Sequence, residues 1–192
     1  MISFQASIPN AITIFRIGLV APIVWLLLNT NYGAALLLMV VASLSDALDG
    51  WLARRFNWRS SFGAAIDPFA DKLLVGSMFV VFWIQSHIPS WLVLIVLSRD
   101  ILILMGAIAY RYLFGKINFA PTLVSKANTA VQVTMLIILL IELSSLGVLS
   151  DIAQSLVDPY CFLLLGLLGI ISGIDYVVTW SLKAWRNIYD SH

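Results

Sequence analysis

Between positions 46 and 71 the chain reads DALDGWLARRFNWRSSFGAAIDPFAD, with apolar segments on both sides. Asp46 and Asp49 are three residues apart, so they share one face of a helix. Asp67 and Asp71 are four apart and do the same. Carboxylates near hydrocarbon are costly unless compensated, and ligand sets made only of oxygen suit hard divalent cations such as Mg²⁺, Mn²⁺ or Ca²⁺. The segment predicts a metal site; the alternative is a solvated loop whose acidic residues only flank a turn.

The composition is that of a membrane protein. Of the 192 residues, 61% are hydrophobic and 11% are charged, and the mean hydropathy is +0.97. A soluble domain carries about 25% charged residues, so we expect several membrane-spanning helices. A net charge of +1 without a basic cluster gives no indication of nucleic-acid binding. The single cysteine, Cys161, excludes a disulfide framework.

The apolar segments predict six spans, each long enough to cross about 30 Å of hydrocarbon at about 1.5 Å per residue. Asp158 and Pro159 predict the start of the sixth, as an N-cap followed by proline in the first turn. We therefore expect an all-α, polytopic membrane bundle that forms one domain over residues 1–192. The spans are predicted at residues 11–28, 33–53, 66–85, 91–113, 122–143 and 159–180.

The basic residues predict the orientation of the bundle. They lie in the tail and in the loops after the second and fourth spans, whereas the other three loops hold none. Positively charged loops stay in the cytoplasm, so both termini are predicted to be cytoplasmic, in agreement with six spans. These residues are Arg54, Arg55, Arg59, Arg111, Lys116, Lys183 and Arg186.

Polar residues within the spans gather at the predicted cytoplasmic end. The four aspartates are joined there by Arg16, Lys72, Lys126 and Asp175. This placement predicts a polar cavity that faces the cytoplasm, whereas a small transporter, the remote alternative, would place polar groups toward both faces. Arg99 and Asp100 lie deeper, in the fourth span. We interpret them as a local or interhelical pair, with a contact to substrate phosphate as the alternative.

The spacing D-x2-D-G-x2-A-R-x8-G-x3-D-x3-D is matched at every fixed position from Asp46 to Asp71. It resembles the signature of the CDP-alcohol phosphatidyltransferases, membrane enzymes that make phospholipids. The series Pro9, Asn10, Thr13 and Arg16 also resembles the P-N-x2-T-x2-R pattern of the family's first helix. The resemblance implies transfer of a phosphatidyl group from CDP-diacylglycerol to an alcohol, with release of CMP.

The resemblance also implies roles for individual residues. Asp46, Asp49 and Asp67 would hold a metal, and Asp71 would be both a metal ligand and the general base; the cofactor would be Mg²⁺ or Mn²⁺, as two ions. Asn10 and Thr13 would contact the diphosphate or the metal shell, with helix capping and backbone bonding as their alternatives. The other positions implied to bind the CDP-lipid are Gly50, Ala53, Arg54 and Gly63.

The acceptor is indicated by the segments around Arg99 and from 121 to 132, which resemble the cardiolipin synthases of the family. The related phosphatidylglycerophosphate synthases more often show G-K-x-K-T-x2-Q in the second segment. Here Ser125 and Lys126 replace the first Gly-Lys pair, and Asn128 replaces the second lysine. One cation fewer fits a phosphodiester, so we expect phosphatidylglycerol as acceptor, bound by Lys126 and Arg99. The alternatives are glycerol 3-phosphate as acceptor and Lys126 as a snorkelling lysine.

The family resemblance also has implications for the oligomeric state and for contacts with lipids. It implies a homodimer formed through membrane helices, in contact with membrane lipids. The absence of a transit-peptide pattern predicts a bacterial cytoplasmic membrane, with an archaeal or organellar membrane as the alternative.

Overall fold

The computed structural model describes residues 4–56, 63–114 and 122–189, and within these ranges the chain is helical apart from short turns. The described part contains no strand, which confirms the all-α prediction. A five-residue π-helical segment, Val157–Cys161, joins the last two helices. The α-helices are α1 (Phe4–Leu28), α2 (Tyr32–Phe56), α3 (Gly63–Ile84), α4 (Ser90–Phe114), α5 (Leu123–Leu143), α6 (Val148–Leu156) and α7 (Phe162–Tyr189).

Five predicted spans correspond to helices α1 to α5, with ends that differ by a few residues, except that α1 begins at Phe4 rather than near position 11. Two described helices are long and apolar enough on their own to cross a membrane, Leu123–Leu143 and Phe162–Leu182. Shorter apolar stretches lie in α1, α2 and α3, at Ile14–Leu28, Tyr32–Ser45 and Lys72–Ile84. The count of six spans stays a prediction.

The start predicted for the sixth span is wrong. Asp158 and Pro159 lie inside the π-helical segment, and helix α6 precedes them where a turn was expected. Proline has no amide hydrogen, and its ring clashes with the carbonyl four residues earlier in an α-helix. A local π-helical turn is one way for a helix to continue past such a residue. The proline therefore marks a change of helix type here and does not mark a helix start.

The chain divides into two compact units. The first unit contains residues up to His87 together with Leu136–Ser155, and the second contains Ile88–Met135 and the residues from Leu156 onward. Helix α5 contributes its N-terminal part to the second unit and its C-terminal part to the first.

The first unit is built on α1, which packs against both α2 and α3. Each helix contributes one apolar stripe to the core, with buried residues recurring at intervals of three and four positions. The connection from α1 to α2 is only three residues long, from 29 to 31, so the two helices are antiparallel neighbours. Fully buried members of the stripes are Ile23 and Leu27 in α1, Ala35 and Ala42 in α2, and Met78, Phe79 and Phe82 in α3.

One end of the first unit is tied by side-chain contacts. Gln85 Nε2, just after α3, donates a 2.8 Å hydrogen bond to the carbonyl oxygen of Leu27 in α1. The hydroxyl of Tyr32, which begins α2, lies 3.2 Å from His87 Nε2. The His87 ring also meets the Tyr32 and Phe82 rings edge-on. The last turns of α1 and α3 and the first turn of α2 therefore meet at this end, which we call the tied end.

Helices α1 and α3 finish in the same way at the tied end. Thr30 and Ser86 have φ values of 55° and 62°, in the left-handed region. The amide of Asn31 donates to the carbonyl of Leu26, and the amide of His87 donates to the carbonyl of Phe82. These are the six-to-one bonds of the Schellman motif, which satisfies carbonyl groups at a helix C-terminus. The turns at the tied end are thus fixed by the backbone as well as by side chains.

In the second unit, α7 packs closely against α4. A Cβ at Gly166 would stand 2.6 Å from Trp91 Cζ3, and a Cβ at Gly169 would stand 2.8 Å from Ile95 Cγ2. Side chains at these two positions would collide with α4, so the glycines are what permits the close approach. Both glycines are therefore used in packing within the chain.

The His87 contacts predict a stability that depends on pH. Burial lowers the pKa of His87 below its usual value, so the unfolded chain binds a proton more readily near pH 6.5 than the folded one. The contribution of His87 to the free energy of unfolding is therefore fully present above the pKa of the unfolded chain. It is lost as the pH falls toward the lower pKa of His87 in the folded chain. We expect the melting temperature in detergent to decrease between about pH 7 and about pH 5.

The variant His87→Gln is the control for this measurement. It lacks the titrating ring, so its melting temperature should change less over the same pH interval than that of the parent protein. Equal pH slopes for the two proteins would show that His87 does not carry the effect.

Candidate active site

The aspartates of α2 continue the buried stripe of that helix. Ala35, Met39 and Ala42 are buried and are spaced by four and then three residues. The next positions in the same series are 46 and 49, followed by 53, and all of them lie within α2. Asp46 and Asp49 therefore occupy interior register positions on a helix whose earlier turns are apolar.

Helix α3 repeats this arrangement in the opposite direction. Leu74 and Met78 are buried, and Asp67 and Asp71 stand seven residues before them, which is two helical turns. Ala70, between the two aspartates, is fully buried. The acidic positions of α3 thus belong to the stripe that enters the core of the first unit.

The helices bring these positions to the same level above the tied end. Along α2, position 46 lies about 21 Å from Tyr32, and position 49 lies about 26 Å away, at about 1.5 Å per residue. Along α3, position 71 lies about 21 Å before Gln85, and position 67 lies about 27 Å before it. Positions 13 and 10 of α1 lie about 21 and 26 Å before Leu27. The backbone therefore brings both halves of the acidic motif and the Asn10–Thr13 turn to the free end of one three-helix unit.

The side chains at these positions lie outside the described part of the structure, so their predicted roles stay predictions. Among the described side chains no group of three or more His, Cys, Asp or Glu is gathered, and the four motif aspartates are not among those side chains. The residues concerned are Asn10, Thr13, Asp46, Asp49, Gly50, Ala53, Arg54, Gly63, Asp67 and Asp71.

The structure describes two cationic side chains that the sequence analysis groups with the motif aspartates. Arg16 is 1% exposed and Lys72 is half-buried, and both have interaction partners. The four motif aspartates offer only oxygen atoms as ligands, a chemistry that suits a hard divalent cation. The chemistry of this donor set therefore fits Mg²⁺ or Mn²⁺ better than a softer metal.

The second unit contains a separate polar cluster around Arg99, which is 3% exposed. Arg99 Nη1 donates a 2.6 Å hydrogen bond to Asp100 Oδ1, an ion pair within α4. Arg99 Nε and Nη2 donate to Ser172 Oγ of α7 at 3.1 and 2.8 Å. Arg99 Nη2 also donates to Ser125 Oγ of α5 at 2.7 Å. One guanidinium thus joins three helices, and the pairing interpretation of Arg99 and Asp100 is confirmed.

Lys126 differs from its neighbour Ser125. The Lys126 side chain is exposed, whereas the Ser125 hydroxyl is turned toward Arg99. Thr122 fixes this start of α5, because its hydroxyl accepts a 3.2 Å hydrogen bond from the Ser125 amide in the manner of an N-cap. A binding role for Lys126 and Arg99 stays a prediction.

Three buried polar residues of this unit were not assigned a role of their own from the sequence. Ser172 is fully buried beneath Arg99, and Asn128 and Gln132 are buried one turn apart on α5. The four-residue spacing of the two amides in an apolar helix was a usable signal. Ser172 had no such signal, because its partner is 73 residues away in the sequence.

Comparison with known proteins gives a consistent result. The sequence profile of the CDP-alcohol phosphatidyltransferase family matches residues 6–180. The cardiolipin synthase (CMP-forming) of Homo sapiens is 32% identical over 145 residues, which are 67% of this chain and 48% of the human protein. That of Streptomyces coelicolor is 37% identical over 105 residues, covering 52% of this chain and 49% of the relative. The chain thus spans about half the length of these relatives.

A second group of relatives carries a different name. The CDP-diacylglycerol--glycerol-3-phosphate 3-phosphatidyltransferase of Rickettsia typhi is 32% identical over 174 residues. This alignment covers 88% of the chain and 94% of the rickettsial protein. The first group is named for its product, cardiolipin, and the second for its acceptor, glycerol 3-phosphate. The acceptor is also the point at which the sequence analysis keeps an alternative.

The Arg99 cluster generates a stability prediction. Ser172→Ala removes the one oxygen that accepts two hydrogen bonds from a buried guanidinium and should lower the free energy of unfolding by about 1–3 kcal/mol. Ser98→Ala is the matched control, because Ser98 lies in the same turn of α4 but is exposed and should change stability by less than about 0.5 kcal/mol. Thermal unfolding in detergent measures both, and equal effects would contradict the bracing role of Ser172.

Proposed function

This chain belongs to the CDP-alcohol phosphatidyltransferase family, and on that premise we propose that it transfers a phosphatidyl group from CDP-diacylglycerol to an alcohol and releases CMP. The proposed acceptor is phosphatidylglycerol, so that the product is cardiolipin. The observation that carries this proposal is the common level of the acidic positions on α2 and α3 in the first unit.

The aspartates are proposed to form the reaction centre. Asp46, Asp49, Asp67 and Asp71 would hold two divalent cations, Mg²⁺ or Mn²⁺, which when bound supply positive charge to the diphosphate. Asn10 and Thr13 would donate hydrogen bonds to the same diphosphate from α1. The small residues Gly50, Ala53 and Gly63 would leave room for the nucleotide, and Arg54 would lie near it.

Asp71 is proposed to act on the acceptor. Its carboxylate takes the proton of the attacking hydroxyl, while the hydroxyl oxygen forms a bond to the lipid-bearing phosphorus. The bond from that phosphorus to the CMP oxygen breaks, and CMP leaves with the bonding electron pair. A carboxylate can serve as the base in this step when the hydroxyl is held close to it, because the proton transfer then needs no diffusional encounter.

Two candidate acceptors follow from the residues and the relatives. Asn128 in place of a lysine removes one positive charge, which favours the phosphodiester of phosphatidylglycerol over the dianionic phosphate of glycerol 3-phosphate. The second candidate, glycerol 3-phosphate, is favoured by the rickettsial relative, whose length the chain nearly covers. Lys126 would meet the acceptor phosphate in either case, and Arg99 is proposed to assist it.

The family consists of membrane enzymes, and the further details of the setting are proposed here. We place six spans in the membrane, with both termini and the polar cavity on the cytoplasmic side, in a bacterial cytoplasmic membrane. The protein would act as a homodimer. A lipid substrate with a water-soluble head is suited to a site at such a boundary.

A product assay tests the proposed activity. Purified protein in mixed micelles receives CDP-diacylglycerol and Mn²⁺ or Mg²⁺, with phosphatidylglycerol in one sample and glycerol 3-phosphate in another. We expect cardiolipin and CMP in the first sample only, identified by mass. Phosphatidylglycerophosphate in the second only would keep the reaction type and overturn the acceptor, and no CMP in either would overturn the activity.

The same assay tests the proposed base. Asp71→Asn should lower turnover by about 100-fold or more at saturating metal, because the acceptor proton then has no carboxylate to receive it. Asp151→Asn changes an exposed aspartate of α6 in the same way and should leave turnover unchanged. Near-normal turnover of Asp71→Asn would exclude it as the base.

A further inference from the structure

Helix α6 leaves large apolar side chains uncovered. Val148 is 73% exposed, Leu149 is 60% exposed and Ile152 is 52% exposed. These three positions lie on one side of the helix, because residues one, three and four apart fall within about 100° of one another around an α-helix. Ala153, beside them, is buried. The helix therefore packs with one face and, among the described residues, leaves a neighbouring apolar face exposed.

A third face of α6 is polar. Asp151, Gln154 and Ser155 are all exposed, and the last two follow Asp151 by three and four residues, so the three share one side of the helix. Around the helix axis the packed, apolar and polar faces follow one another at intervals of about 120°. A short helix with separate apolar and polar exposed faces is typical of a membrane interface, where hydrocarbon and water meet.

The turn before α6 fixes the direction of these faces. Ser150 Oγ accepts a 2.7 Å hydrogen bond from the amide of Leu146 and donates one of 2.9 Å to the carbonyl of Ile141 in α5. Gly147 has a φ of 62°, and its carbonyl accepts a 2.9 Å hydrogen bond from the Ser150 amide. The direction of α6 relative to the end of α5 is therefore set by bonds within the first unit.

Helix α5 limits how far α6 can lie from a membrane boundary. It is one of the two described helices that are long and apolar enough to cross a membrane. Only residues 144–147 separate the two helices, and four residues reach at most about 14 Å. With nine residues, α6 is about 14 Å long, less than half of the roughly 30 Å of hydrocarbon. Helix α6 is therefore too short to cross the bilayer and too close to α5 to leave its surface.

The size and charge of the exposed apolar face indicate a lipid partner. A stable protein interface uses about 20–30 residues on each side, whereas this face consists of three large side chains. The only charged residue of α6 is Asp151, and the helix has no lysine or arginine. Attraction to anionic headgroups is therefore absent, and burial of apolar surface is the available source of binding free energy.

We propose that α6 is an interfacial anchor, in which Val148, Leu149 and Ile152 insert into the boundary between headgroups and acyl chains where α5 ends. The polar face around Asp151 is directed toward water. In the proposed topology this boundary is on the non-cytoplasmic side. The inference requires that α5 crosses the membrane, and it depends neither on the acceptor nor on catalysis.

Spin labels measure the depth of individual positions in the full chain. Cys161→Ser removes the only native thiol, and Ile152→Cys or Gln154→Cys then introduces a single labelling site. In vesicles of phosphatidylcholine we expect the label at position 152 to lie about 5–10 Å inside the boundary, accessible to oxygen and protected from a water-soluble nickel complex. The label at position 154 is the matched control and should be accessible to the nickel complex.

A third label tests the placement of α5 separately. Thr134→Cys changes an exposed residue near the middle of α5, and its label should lie deeper than the one at position 152. A deep label at 134 together with equal nickel access at 152 and 154 would overturn the anchor alone. Nickel access at all three positions would overturn the membrane placement of α5 and the anchor with it.

Removing the apolar face tests whether it holds α6 in place. In a protein with both Val148→Ser and Ile152→Ser, a label introduced as Leu149→Cys should move toward water relative to the same label without these changes. Ser155→Ala alters the polar face instead and should leave the depth of that label unchanged. An unchanged depth in the double variant would show that the link to α5 alone sets the position, which would overturn the anchor.

Dilution and headgroup charge distinguish the other possible partners. Magnetic broadening between labels at position 152 that disappears on mixing with unlabelled protein would assign the face to a second copy of the chain and overturn the lipid assignment. Adding phosphatidylglycerol to the vesicles should leave the depth unchanged, because α6 has no basic residue. Insertion that occurs only with the anionic lipid would overturn insertion by apolar burial.

Discussion

A polar group inside an apolar helix bundle must be compensated by a partner, and both units of this chain reflect that requirement. In the second unit the compensation is internal, since Arg99 is paired with Asp100 and bonded to hydroxyls from two other helices. Asn128 and Gln132 on α5 lack such compensation. The difference separates a buried polar group whose partners lie within the chain from two buried amides that lack a full set of partners.

In the first unit the helix register places the acidic positions of α2 and α3 at the same level. The heptad series of α2 is apolar through Ala42 and then continues with Asp46 and Asp49. A stripe that packs the core near the tied end therefore becomes a stripe of carboxylates one or two turns later. Since α3 shows the same change in the reverse direction, tying one end of the unit brings the acidic positions of both helices to the same level.

The sequence was most informative where a pattern is local. Apolar segments located five of the helices, and the spacing of Asp46 to Asp71 indicated helical pairs that the backbone of α2 and α3 bears out. The predicted helix start at Pro159 was wrong, because proline occurs both in the first turn of a helix and at irregularities within one. The sequence alone does not distinguish these two cases. The bonds of Arg99 to Ser125 and Ser172 join residues 26 and 73 positions apart, and no periodicity records such contacts.

The neighbouring position of Asp100 has a consequence for biosynthesis. In the proposed topology α4 enters the bilayer before α5 and α7 are made, so the hydroxyls that later hold Arg99 do not yet exist. A lone arginine at the centre of an inserting helix is disfavoured by about 2.5–3.5 kcal/mol. Asp100, the next residue to emerge from the ribosome, lies within 2.6 Å of it in the folded chain. The helix thus carries a counter-ion for Arg99 within its own sequence, and Ser125 and Ser172 add hydrogen bonds to a pair that persists in the folded chain.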